Sequence, residues 1–250
     1  MRAVISAIYP VLIQPFISTE EVRYYINGFY VHSDPNEGLR IVATDGHRLG
    51  VFHDREGLWE GPTNAGMIVK LSKPALDILK DKKSRTPLKK WLVVEGDIKA
   101  NSATIIEGDD PLDNPRLVAT FHDVLIDGTY PDYTKVVPSI TKRDFKPASY
   151  NPKYLADFSR VLPKMGARCI RLVSEDEAGP SLVLTSRDDF FGVLMPMRPG
   201  WEESNYYPDF WTRKPSHKGM KLVRGGKKKS AALEEVETKV AETNSQPDAA

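Results

Sequence analysis

Two short stretches of the 250-residue chain hold side chains that could do chemistry. Asp45, His47, His53 and Asp54 lie close together, and His122-Asp123 follows later. Imidazole nitrogens and carboxylate oxygens at such spacing can ligate zinc or manganese, and a metal-bound water would make the site hydrolytic. Gly46 argues against this. Asp-Gly between two apolar runs signals a tight hairpin, which makes Asp45 and His47 turn residues rather than neighbours on one strand face. No serine-nucleophile elbow, phosphate-cradling glycine loop or paired-histidine motif occurs. The expectation is a non-enzyme with no metal and no cofactor. Cys169 is the single cysteine, which rules out an internal disulfide and a cysteine-rich zinc site and suits a reducing cytoplasm. In the apolar run Cys169–Val173 it reads as a small core residue.

Charge is the other chemical feature. The formal net charge is +1, but Arg213, Lys214, Lys218, Lys221, Arg224, Lys227, Lys228 and Lys229 fall within one acid-free stretch. An acidic stretch, 230–250, follows it. A near-neutral body with a basic segment points to an anionic partner, with a solvated tail as the plain alternative. Hydrophobic residues make up 40% and charged residues 28%, an ordinary globular balance, and no run of eighteen apolar residues is present to cross a membrane. The opening MRAVISAIYPVLIQPFIS has prolines at 10 and 15 and no small-residue cleavage site, so it reads as part of the fold rather than a signal peptide.

The elements that must position these groups follow from periodicity and punctuation. Arg23–His32, Leu39–Thr44, Arg48–His53, Met67–Leu71, Trp91–Glu95, Ile98–Ile106, Leu117–Ile126, Ile170–Ser174, Ser181–Ser186 and Phe190–Met197 read as strands. Asp45-Gly46 and Gly96-Asp97 read as turns. Helices are expected over Ala3–Ile13, over Ser72–Lys83 with Ser72 as N-cap, and over Asn151–Leu162 with Asn151 as N-cap and Pro152 in the first turn. Each helix leads into several strands, so the chain reads as three copies of a helix-plus-sheet unit. Residues 212–250 are too poor in large apolar side chains to offset their ordering entropy, and a flexible tail is expected over residues 201–250.

Three motifs resemble the bacterial DNA polymerase III beta sliding clamp family. The first is Arg23-Tyr24-Tyr25-Ile26-Asn27-Gly28 with Val42-Ala43-Thr44-Asp45-Gly46-His47-Arg48-Leu49. The second is Ile126-Asp127-Gly128-Thr129-Tyr130-Pro131-Asp132-Tyr133, ending at Val137-Pro138. The third is Leu194-Met195-Pro196-Met197-Arg198. The resemblance covers residues 1 to about 198 and implies an α+β DNA-clamp fold of repeated helix-plus-antiparallel-sheet half-domains. It implies residues 1–138 as a domain like the family's middle one without its opening strand. Residues 139–200 then correspond to the second half of the last domain, and residues 201–250 form a basic, then acidic, tail beyond the family's end.

The resemblance also implies a partner-peptide pocket. Ile26, Thr44, Gly46, His47, Arg48, Leu49 and Pro138 match one wall, and Val193 and Met195 the other. Pro196, Met197, Arg198, Asn151 and Tyr154 match the groove leading in. Apolar liners with a few polar groups suit short peptide anchors, and methionine tolerates several of them; the plain alternative is that Ile26 and Met195 are core residues. Tyr24 and Tyr25 match positions near the family's DNA path. Lys73 and Lys80 share a helix face, as do Lys153 and Arg160, and with Lys227, Lys228 and Lys229 they are the expected phosphate contacts. The expected partners are double-stranded DNA, a replicative DNA polymerase and clamp-loader subunits, the proteins bound through short peptides, in a cytoplasmic, nucleoid-associated setting. A homo-oligomer is expected, because the edges beside Phe190–Met197 and Leu117–Ile126 would be apolar if left bare, with a four-chain ring foremost because four chains of three units match the roughly twelve units implied for a family ring. The rival is a monomeric adaptor or decoy that keeps the pocket and encircles nothing.

Overall fold

In a computed structural model, the described residues are 1–80, 89–138, 148–174 and 178–197. Their strands form two antiparallel sheets. In chain order the elements are β1 (Arg2–Ser6), α1 (Ile8–Leu12), β2 (Phe29–Ser33), β3 (Leu39–Thr44), β4 (Arg48–Asp54), β5 (Leu58–Glu60), β6 (Gly66–Val69) and α2 (Lys73–Lys80). Then come β7 (Lys90–Gly96), β8 (Asn101–Glu107), β9 (Arg116–His122), α3 (Pro152–Val161), β10 (Ile170–Val173), β11 (Ser181–Thr185) and β12 (Phe190–Leu194). One sheet has the order β5-β1-β7-β8-β9, the other β10-β11-β12-β4-β3-β2-β6.

The seven-stranded sheet alternates strictly. Leu39, Ile41, Ala43, Phe52, Phe190 and Leu194 face the main core, while Val42, Leu49, Val51 and Val193 face a second, smaller one. In the main core the Phe16 and Phe158 rings lie 5.0 Å apart and Phe52 and Phe190 4.9 Å apart. Gly50 and Gly192, paired across β4 and β12, make room for these rings. A Cβ at Gly50 would stand 2.9 Å from Phe16, and one at Gly192 2.5 Å from Phe158. The pairing β4–β12 joins the hairpin to the C-terminal elements, with Leu49 opposite Val193.

Several expectations need correction. Ala3–Ile13 is not one helix: Arg2–Ser6 is a strand between β5 and β7, and only Ile8–Leu12 is helical. Val4 and Ile5 are β-favouring and buried beside Ala3, so sheet pairing overrides the helical reading. An opening strand is therefore present. Tyr24–Ile26 is a 3-10 turn, and the strand predicted over Arg23–His32 begins only at Phe29. The strand predicted over Ile98–Ile106 starts at Asn101, because the Asp97 carboxylate accepts from Lys99 and Ala100 N–H and holds a turn. The strand over Leu117–Ile126 ends at His122, followed by Asp123 with φ 55°. Cys169 is exposed, not a core residue.

β12 is no bare edge: β11 and β4 flank it. β9 does terminate its sheet among the described residues, with Leu117 64% exposed. The third helix begins as its sequence predicts, with Asn151 Oδ1 accepting from Lys153 N–H at 2.9 Å and Pro152 in the first turn. The tail, the end of the second predicted helix and the junction between the two expected domains lie outside the described residues.

Candidate functional site

The β3–β4 hairpin is built by its own side chains. Asp45 Oδ1 accepts from the N–H groups of His47 at 3.0 Å and Arg48 at 3.1 Å. Thr44 Oγ1 accepts from Gly46 N–H and donates to the Arg48 carbonyl at 2.7 Å. Gly46 takes φ +89°, the left-handed region that glycine occupies without strain. His53 Nε2 lies 2.8 Å from the Glu37 carbonyl oxygen. The buried Asp54 carboxylate accepts from Ser6 N–H at 2.7 Å and Ser6 Oγ–H at 2.8 Å, and burial raises its pKa. The side chains that invited a metal reading are thus held by separate partners. Among the described residues no group of three His, Cys, Asp or Glu converges.

Where this hairpin meets β12 there is a cavity of about 190 Å³. Ile26, Thr44, Gly46, Arg48, Leu49, Val193 and Met195, all named from the sequence, line it together. The sequence reading missed the rest of the lining: Arg23, Tyr25, Pro131, Asp132, Tyr133 and Val136. The last four belong to one segment folded over the sheet's second face. Tyr130 anchors that segment by stacking on Tyr30, with centroids 4.9 Å apart and planes 5° apart, and burial raises the pKa of the Tyr130 hydroxyl. Asp132 caps its 3-10 turn, Tyr133–Val136, by accepting from Thr134 N–H at 3.2 Å and Thr134 Oγ–H at 2.5 Å. The quoted Tyr130-Pro131-Asp132-Tyr133 motif contained the signal, a capping Asp between aromatics, but nothing local showed where it packs.

The remaining predicted pocket residues lie outside this lining. His47 stacks on Tyr154, centroids 5.5 Å apart at 15°. The Arg48 guanidinium lies 4.7 Å over the same Tyr154 ring. It also pairs with Asp157 of α3, donates to the Pro15 carbonyl at 2.5 Å and sits 3.2 Å from Asp45. Arg48 therefore clamps α3 to the hairpin. Asn151 spends its side chain on the helix cap. Met195 N–H donates to the His47 carbonyl at 2.9 Å and Met197 N–H to the Ser149 carbonyl at 2.7 Å, so Met195-Pro196-Met197 runs along the hairpin's flank with Met197 half exposed. Pro138 is half-buried and apart from the lining, and Arg198 is outside the described residues.

Of the predicted DNA contacts, Tyr24 is 54% exposed beside Tyr25, their rings 5.8 Å apart. Lys73 and Lys80 on α2, and Lys153 and Arg160 on α3, are exposed. Lys80 Nζ is 3.9 Å from Asp77 and Arg160 donates to Asp157 at 2.7 Å. Lys227, Lys228 and Lys229 are outside the described residues. No helix among the described residues is long and apolar enough to cross a membrane.

No family model matches the chain. A beta sliding clamp of Caulobacter vibrioides (strain NA1000 / CB15N) is 35% identical over 132 residues, 49% of this chain and 29% of that protein. The beta sliding clamp of Salmonella typhimurium (strain LT2) is 30% identical over 167 residues, 66% of this chain and 38% of that one. The chain thus spans about a third of the length of the curated relatives it matches. Among solved structures, the DNA polymerase sliding clamp from Caulobacter crescentus aligns with a TM-score of 0.56 at 22% identity, covering 79% of this chain and 65% of that one. At that identity the likeness speaks for the fold.

Proposed function

We propose, on the premise that this chain is a divergent relative of the bacterial beta sliding clamps in sequence and fold, that it is a non-enzymatic tether that holds replication proteins on duplex DNA. The observation that carries this reading is the cavity between the β3–β4 hairpin and β12. An apolar cavity of roughly 150 Å³ accepts benzene, so about 190 Å³ suits one aromatic or branched aliphatic anchor of a peptide. Thr44, Arg23 and Asp132 offer polar groups beside it to orient a backbone. The partners would be a replicative polymerase and clamp-loader subunits bearing short peptide motifs. Contacts to DNA phosphates would come from Lys73, Lys80, Lys153, Arg160 and the basic segment around Lys227–Lys229, with Tyr24 and Tyr25 alongside. In this reading residues 1–138 act as a clamp-type domain and 139–200 as a half-domain completing the pocket, in a cytoplasmic, nucleoid-associated oligomer.

The test is a fluorescein-labelled peptide carrying Gln followed by Leu and Phe anchors, followed by anisotropy on the full chain. Leu49→Ala and Met195→Ala should each cost about 1–2 kcal/mol of binding. Equal binding by wild type and both variants would remove the pocket from this reading. The alternative is a monomeric adaptor or decoy that keeps the pocket and encircles nothing. The native mass by light scattering, with retention on circular against linear DNA, separates the two.

A further inference from the structure

The segment over the second face of the seven-stranded sheet is tied down at one polar contact far from it in sequence. Tyr133 is buried at 8% exposure, lines the cavity, and places its hydroxyl 3.1 Å from His32 Nε2 on β2. His32 Nδ1 lies 2.8 Å from the Ser33 carbonyl oxygen. A carbonyl only accepts, so Nδ1 carries the proton, and in the neutral ring Nε2 must accept from the Tyr133 hydroxyl. Arg40 stands directly across from His32 on β3, and a guanidinium only donates. The Tyr133 proton therefore goes to His32.

We infer that Tyr133 is a positioning residue of the cavity, held in place by neutral His32, and that ligand binding there weakens as His32 takes up a proton. The inference rests on the pocket reading above. Protonation turns Nε2 into a donor facing a hydroxyl that already donates toward it. The hydroxyl must then rotate, and its proton loses its acceptor in a buried setting. The contact that fixes the Tyr133 wall then reverses direction, with the imidazolium donating and the phenol proton left without its acceptor.

The groups facing His32 come from every element packed on it. Tyr30 on its own strand lies 5.2 Å away ring to ring, Tyr133 6.0 Å. Arg40 stands opposite on β3, and Asp34, whose carboxylate takes the Arg40 Nε at 2.5 Å, lies just beyond the strand end. Gly66 on β6 brings no charge. Burial holds the His32 pKa below its ordinary value and Arg40 adds to this, against Ser33 and Asp34, which raise it. The sign follows: a depressed imidazole pKa means that the unfolded chain binds the proton more readily. The contribution of neutral His32 is then complete above the unfolded value of about 6.5 and is lost as pH falls through the lower folded value.

Methyl NMR of Met195, across the cavity from Tyr133, reads the wall directly. Between pH 8 and pH 5 in wild type, part of the Met195 methyl shift should follow the His32 titration. That part should vanish in His32→Gln, which keeps an acceptor toward Tyr133 without titrating, and in Tyr133→Phe. Any part that does not come from His32 should persist in both. The labelled peptide should bind wild type progressively more weakly as pH falls through the His32 titration, towards a limit of roughly 3- to 10-fold, the size of one net hydrogen bond. His32→Gln should hold its affinity. A His32 titration with identical Met195 profiles in wild type and His32→Gln overturns the inference, as does a peptide pH profile unchanged by that substitution. A peptide that binds at no pH defeats the pocket reading instead, and the methyl profiles then decide the role of Tyr133.

Discussion

On one face of the seven-stranded sheet, Phe29, Phe52 and Phe190 meet Phe16 and Phe158 in a core where several rings are wholly buried. On the other, Val42, Leu49, Val51 and Val193 meet a segment anchored by Tyr130 and Tyr133, and a cavity of about 190 Å³ opens at its margin. Both faces follow from the same strands by alternation, so their difference lies in what covers them. Phenylalanines interlock without polar demands, and two glycines are set aside for them. Tyrosines cover the second face at the cost of placing hydroxyls, one of them on His32. A tightly filled face supports stability, whereas a face closed by a polar-anchored segment can admit a ligand and respond to pH.

The largest effect should come from breaking the filled face. Phe158→Ala removes a ring in contact distance of Phe16 and Phe190 and should cost about 3–5 kcal/mol in urea unfolding. Leu49→Ala on the other face borders existing space and should cost less, which inverts the ranking that peptide binding would give. A smaller stability loss for Phe158→Ala than for Leu49→Ala would contradict the comparison.

Arg48 connects the two faces, so it sharpens the contrast. Its guanidinium lies over Tyr154 and Phe16, and the residue also lines the cavity. Arg48→Lys keeps the charge, but a single ammonium cannot serve Asp157 and the Pro15 carbonyl in the same fork geometry. The expected loss is about 1–3 kcal/mol of stability, about the cost of leaving one buried polar group short of its partner. The partly buried Asp157 would make up some of that loss, so Asp157→Asn in the same chain should cost less than the two changes added separately. Strict additivity in that cycle would show that Arg48 does not act through α3.

Much of this arrangement was legible in the sequence where the determining interaction is local. Asp45-Gly46 announces the hairpin, and the same residues build it. Asn151-Pro152 announces α3, and Asn151 caps it. What escaped depends on distant partners. Arg2–Ser6 becomes a strand because β5 and β7 stand on either side, more than fifty residues away. Pro131–Val136 becomes a wall of the cavity because Tyr133 reaches His32, 101 positions earlier. The pairing of β12 with β4 hides an edge that looked bare, since no residue of Phe190–Leu194 encodes its neighbour.

The smallest expected effect on stability belongs to the exposed helix cations, which lie outside both cores. Lys80 is half exposed and stands 3.9 Å from Asp77, and Lys153 is exposed at the first turn of α3. Surface pairs of this kind contribute roughly 0–1 kcal/mol, so Lys80→Ala and Lys153→Ala should unfold within about 0.5 kcal/mol of wild type. Their role in the proposed function would appear only with DNA. Each lysine that neutralises a phosphate releases counterion, so losing it should lower the slope of log affinity against log salt by about 1, equally for unrelated duplex sequences. The Leu49→Ala and Met195→Ala changes should leave that slope alone if, as proposed, the cavity they line serves peptides and not phosphate. If the lysine variants keep the wild-type slope while a cavity variant changes it, the division between a DNA-facing helix surface and a peptide-facing sheet margin is wrong, and DNA must approach this molecule from the hairpin side.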